Sequence, residues 1–162
     1  MIVKYIGIGA MAITALWIGR GYSAYADRRL GEMSGISALI LHMESRLGRT
    51  LDYGAELYRG FEDEFLEKCG LLPLLREGKA PSDAFHEAKK SMALPSEAET
   101  LMENLLSSFG KGYKDQELER LRRARAELDK KITTLREESD KNKRVVNALL
   151  FGITASGAIL MM

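Results

Sequence analysis

Two apolar stretches bracket this chain. Residues 1–18 are apolar apart from Lys4, and residues 145–162 carry no charge. At about 1.5 Å of rise per residue, each would span roughly 27 Å as a helix, close to the hydrocarbon thickness of a bilayer. Between them the apolar positions recur at helical spacing, with no run of alternating β-branched residues to suggest a strand. The pattern predicts an all-α protein, a compact helical bundle with long helices, flanked by an N-terminal and a C-terminal transmembrane helix. The implied division is a first membrane helix over 1–19, a helical bundle over 20–144 and a second membrane helix over 145–162.

Within the bundle, a helix is predicted over 22–47, with Leu30, Met33, Ile36, Ile40, Met43 and Leu47 on one stripe and Gly48 as its stop. Thr50 is placed to N-cap a second helix carrying Leu51, Leu57, Tyr58, Phe61, Phe65 and Leu66. Gly70, Pro73 and Gly78 interrupt the pattern. Pro81 opens a short helix with Ala84, Phe85 and Ala88, and Pro95 breaks the chain again. Ser96 and Glu99 have capping-box spacing at the head of a helix that reaches about Phe109.

The most regular element follows Gly110 and Gly112, over 114–140, and no breaker stops it before Val145, so a long final helix is drawn over about 114–144. Leu118, Leu121, Leu128, Ile132 and Leu135 alternate three and four apart, and Arg125 takes one place in the same seam. Mixed charges cover the rest, the pattern of a helix packed along one narrow seam with a solvated outer face. This seam is the candidate partner-facing surface. In the last stretch, Ala148, Gly152 and Ser156 form a ridge at four-residue spacing. It reads equally as a membrane-helix packing face and as ordinary small-residue content.

Charge decides orientation. Arg20, Arg28 and Arg29 follow the first stretch, while Lys141, Lys143 and Arg144 precede the second. Basic residues beside a membrane helix mark the cytoplasmic side, so the middle section is predicted to be cytoplasmic. A rival reading takes the first stretch as a signal peptide cleaved at Ala24-Tyr25-Ala26, which would make the domain an exported one held by its C-terminal anchor. A basic residue directly after the apolar run favours the retained helix. Trp17, Tyr5 and Tyr22 suit interfacial anchoring.

The chain has 24 basic and 23 acidic residues, and the near balance argues against a nucleic-acid surface. Its single cysteine, Cys69, precludes an intramolecular disulfide. His42 and His86 lack ligand-like spacing to each other or to Cys69, so no metal site is predicted. Gly78-Lys79 lacks the rest of a phosphate-binding loop, and no catalytic constellation or cofactor motif appears. Among 120–125 the arginines interleave with Glu117, Glu119 and Glu127, which reads as a charged helix face.

The order of several short motifs resembles the stage III sporulation protein AB family. They are a juxtamembrane turn at Asp27-Arg28-Arg29 and the run Leu39-Ile40-Leu41-His42-Met43-Glu44-Ser45-Arg46-Leu47-Gly48. Leu75-Arg76-Glu77-Gly78 followed by Ala84-Phe85 comes next, then Phe109-Gly110 before the long helix, and the passage through Asn142-Lys143 into the last stretch. The chain departs from the family pattern at Leu47, where a Tyr is usual, and in the shortened Lys111-Gly112-Tyr113-Lys114-Asp115. The family in turn resembles the cytoplasmic domain of the type II secretion inner-membrane platform protein. The resemblance implies a non-enzymatic platform in the mother-cell membrane facing the forespore. Its implied partners are a secretion-type ATPase, the ring-forming proteins of the same channel, membrane lipid and further copies of the chain, with no cofactor and no nucleic acid.

Overall fold

A computed structural model describes residues 2–49 and 54–159. Six α-helices are found among the described residues, with no strand: α1 Ile2–Arg49, α2 Glu64–Lys68, α3 Leu71–Arg76, α4 Pro81–Ala88, α5 Ser96–Ser108 and α6 Lys114–Ile159. Short 3-10 turns occur at Gly54–Tyr58 and Lys89–Ser91. The chain divides into two compact units, an end unit of Met1–Asp27 with Thr134–Met162, and a core unit of Arg28–Thr133. Among the described residues no helix is long and apolar enough to cross a membrane. Most side chains of 1–19 and 145–162 lie outside the described ones.

In the core unit, Met33, Ile36, Ile40, Met43 and Leu47 of the predicted stripe are buried, joined by Leu39, while Leu30 is half-buried. The same core takes Leu71, Leu72 and Leu75 from α3, Ala84, Phe85 and Ala88 from α4, and Ala98, Met102, Leu105 and Leu106 from α5. Short helices this small are marginal alone, and burial of their apolar faces is what holds them.

Three local expectations change. Asp27-Arg28-Arg29 is not a turn, since α1 passes through it unbroken. The side chains support the helix there, because Ser23 Oγ donates to Asp27 Oδ2 at 3.4 Å and Arg28 Nε to Glu32 Oε1 at 2.8 Å, both at i,i+4. Ala24, Tyr25 and Ala26 lie inside the same helix.

Over 54–66 the expected second helix is instead a 3-10 turn and the start of the short α2. Thr50 and Leu51 lie outside the described residues. Gly54 and Gly60 both sit at φ 78°, a left-handed conformation that punctuates the segment. The cap that starts α2 is Asp63, whose carboxylate accepts from the backbone N–H groups of Phe65 and Leu66 at 3.0 and 2.9 Å. At α5 the capping-box expectation also fails. Pro95 is the N-cap, its carbonyl accepts from the N–H groups of Ala98 and Glu99, and Ser96 is already helical.

The segment before α2 runs back along α1. Arg46 Nη2 donates to the Arg59 carbonyl at 2.9 Å, and the His42 and Phe61 rings lie 5.3 Å apart. Further along, a Cβ added at Gly35 would meet Asp63 Oδ1 at 2.7 Å, and one at Gly31 would meet the Phe65 ring at 2.4 Å. Two glycines one turn apart thus let the start of α2 rest on the α1 backbone. Sequence periodicity did not single them out, although a glycine inside an apolar helical pattern usually has a packing reason.

His42 is shifted below its ordinary value by burial first and by the Arg46 charge second, opposed by the Arg59 and Leu57 carbonyls. A lowered histidine resists protonation in the fold, so its contribution to stability is present above the ordinary value and is lost as pH falls from there through the lowered one.

Two tests follow from these contacts. Gly31→Ala or Gly35→Ala should destabilise the full chain by about 1–3 kcal/mol through overpacking. Gly21→Ala meets nothing within 4 Å and should be neutral or mildly stabilising in urea titration. Titrating from pH 7.5 to 5.5, wild type should lose more stability than His42→Gln, and parallel curves would exclude the histidine.

Candidate functional site

The long helix α6 carries the predicted seam, and the structure places most of it against the core. Leu121 and Leu128 are fully buried, Ile132 is buried, and Leu118 is half-buried. Ala124 is buried on the same face. Leu135, which belongs to the end unit, is half-buried. The apolar seam therefore meets this chain's own core, and the outer face of α6 carries its exposed charges.

Arg125 is the seam position that does not follow the apolar rule. Its Nη1 lies 3.2 Å from Glu44 Oε2 on α1, and its Nε 3.6 Å from Asp129 Oδ2. Arg122 Nε reaches the other Glu44 oxygen at 2.7 Å, so one carboxylate holds two guanidinium groups. Ser37 Oγ donates to Asp129 Oδ1 at 2.5 Å, and Lys114 Nζ donates to the Gly48 carbonyl at 3.2 Å. As numbering rises along α6, its partners fall along α1, so the two helices run antiparallel in the core unit. The Lys114 contact also satisfies a carbonyl at the end of α1, where a cation is favoured.

On its other flank α6 meets α5. Lys131 pairs with Glu97 at one end, and Arg120 Nη1 donates to the Ser108 carbonyl at 3.4 Å at the other. The interleaved charges thus divide into two classes. Glu119 forms an exposed pair with Arg123, worth little in water. Glu117 is fully buried, contrary to the reading of it as part of a solvated face. Its Oε1 accepts from Gly112 N–H at 2.9 Å and from Arg120 Nη1 at 3.3 Å. The carboxylate closes the loop before α6 and lies near the positive end of the helix, where an anion is stabilised.

A second buried carboxylate was not foreseen. Glu32 on α1 accepts from Arg28 Nε at 2.8 Å and from Ala93 N–H at 2.5 Å, while Arg28 Nη2 donates to the Ser91 carbonyl. Ser91 Oγ in turn donates to the Cys69 carbonyl at 3.0 Å. This ties the α4–α5 connection to both α1 and the end of α2. Nothing in spacing alone distinguishes Glu32 from a surface carboxylate, because its partner N–H lies 61 residues away.

Residues with chemical potential remain apart. The Cys69 thiol is buried and pushed up chiefly by burial, with the Glu32 charge adding to it, so it is a poor nucleophile at neutral pH. His86 is exposed. Among the described residues no group of His, Cys, Asp and Glu could hold a metal ion.

In the end unit, Lys143 Nζ pairs with Asp27 Oδ1 at 2.9 Å. Arg20, Lys141 and Arg144 are exposed, as are Trp17, Tyr25 and Val145. Of the small-residue ridge, Ala148 and Gly152 are exposed, and a Cβ at Gly152 would meet nothing within 4 Å. The side chain of Ser156 lies outside the described residues, with those of Tyr5 and Tyr22.

Glu32→Gln keeps the shape and the acceptor for Ala93 but drops the charge facing Arg28. It should cost about 1–3 kcal/mol in chemical denaturation, whereas Glu119→Gln should change stability by less than about 0.5 kcal/mol. No curated protein and no solved structure matches the chain. The family described as Stage III sporulation protein AB matches residues 4–162, motifs and helical ends together, and the chain belongs to that family.

Proposed function

We propose that this sporulation protein is a non-enzymatic platform, held in the mother-cell membrane by both apolar stretches, whose helical core docks a cytoplasmic secretion-type ATPase. It would serve a secretion-like channel between mother cell and forespore, together with ring-forming proteins and further copies of itself.

The observation that carries the reading is family membership over residues 4–162, which includes both apolar stretches. It is supported by the basic flanks, Arg20 on one side and Lys141 with Arg144 on the other. Helices α1 and α6 also extend from the core residues into the two stretches as single helices.

The outer faces of the helices are the surfaces this leaves to partners. The core-facing seam of α6 fixes the platform's shape, and its exposed charged face is the part an ATPase could read. A binding function asks no more of the residues than a stable, patterned surface. The buried carboxylates Glu32 and Glu117 and the buried Cys69 then serve the fold.

The proposal is tested with the full chain reconstituted in bilayers. It should stay in the pellet after alkaline washing, bind the ATPase of the same channel and change its ATP turnover. Neither binding nor altered turnover would sink the docking role. Digestion of the core by protease added outside intact cells would instead support an exported domain.

A further inference from the structure

Where the apolar stretches begin, the end unit holds cations that its own carboxylates do not occupy. Asp27 accepts Lys143 Nζ at 2.9 Å on one oxygen and Ser23 Oγ at 3.4 Å on the other. Glu137 and Asp140 stand one turn before Lys141 and Arg144, yet among the described residues no ion pair joins them, nor ties Arg20 to a carboxylate. All three cations are exposed.

The Asp27–Lys143 bond joins the two helices beside them. It sets those two residues side by side within the end unit. Arg144 adjoins Lys143 on α6, and Arg20 lies about 10 Å before Asp27 along α1, at ~1.5 Å per residue. Tyr25 and Val145 are exposed beside Asp27 and Arg144 in the chain, and Trp17, 79% exposed, stands one turn before Arg20. Cations, then an aromatic ring, then apolar chain is the profile of a membrane–water boundary.

We propose that Arg20 and Arg144, with Lys141 behind them, form a seat for the phosphate of an anionic phospholipid headgroup. The inference deepens the platform reading and rests on the apolar stretches lying in a bilayer. Two guanidinium groups at different depths can approach one headgroup because arginine stems extend along apolar surface with the charge turned toward water. Each presents a planar fork that matches phosphate geometry, which a lysine does not. A zwitterionic headgroup carries its own ammonium beside the phosphate and gains less. The seat would hold the paired helices at a set depth and favour membrane regions rich in anionic lipid.

The test uses the full chain in bilayers of phosphatidylcholine containing a minor share of phosphatidylglycerol, with lipids retained after gentle extraction counted by native mass spectrometry. Wild type should retain phosphatidylglycerol over phosphatidylcholine. Removing two cations in Arg20→Gln/Arg144→Gln should cut that preference by at least tenfold, at about fivefold per cation. Arg20→Lys/Arg144→Lys should recover it only in part. Arg136→Gln, which removes an exposed cation of the same unit about 12 Å from Arg144 along the helix, should leave it intact.

An equal loss in Arg136→Gln would mean diffuse attraction and overturn the seat. So would displacement of the lipid by millimolar inorganic phosphate. A chain that resists alkaline extraction but shows no lipid preference overturns the seat alone. A chain washed free of the bilayer overturns the membrane reading with it.

Discussion

The antiparallel contact between α1 and α6 is the constraint on which the core unit depends. Beside it, Leu121, Leu128 and Ile132 of the seam and the stripe from Met33 to Leu47 are all buried. Its polar part is Glu44 holding Arg122 and Arg125, with Ser37 on Asp129. Apolar burial supplies most of the free energy, at about 25 cal/mol per Å². Its area term does not depend on direction, so it discriminates less sharply between registers than paired charges do. The charge-assisted contacts are not indifferent, because a one-turn slip would separate every partner. The polar line thus adds to the register that the apolar packing sets.

The remaining helices fill the space this pair leaves. They are short, and each needs a polar anchor to hold its orientation. Asp63 caps α2 and rests on Gly35, while Phe65 rests on Gly31. Glu32 and Arg28 grip the backbone at Ser91 and Ala93 before α5. Glu117 closes the loop between α5 and α6. The three carboxylates act on backbone N–H groups, which lack partners at helix starts and in connections. Buried charge is costly unless it is hydrogen-bonded, so these sites resist substitution without having a chemical role.

Much of this was legible along the chain. The helical class, the α1 stripe, the start of α6 at Lys114 and the Pro81 helix all follow from apolar periodicity and breakers, which are local. The motif order that pointed to the sporulation family was legible too, and the family match agrees with it. The misread segment, 54–66, fails for a physical reason. Its apolar residues have helical spacing, but Gly54 and Gly60 adopt left-handed backbone and Asp63 offers a stronger start. At Ser96 the preceding proline had already set the cap.

The candidate surface divides in the same way. That α6 carries one apolar seam and a charged outer face is written in residues three and four apart. Which body meets the seam is not, since Leu128 looks the same whether it faces a partner or its own domain. Only the folded chain brings α1 and α5 to either side of α6 and pairs Arg125 with Glu44, 81 residues away. By itself, then, the sequence determined the helical class, the apolar faces of α1 and α6 and the family. The tertiary structure decided which faces are spent inside the chain and which carboxylates are buried, because those outcomes depend on contacts between residues far apart in sequence, where local spacing holds no information.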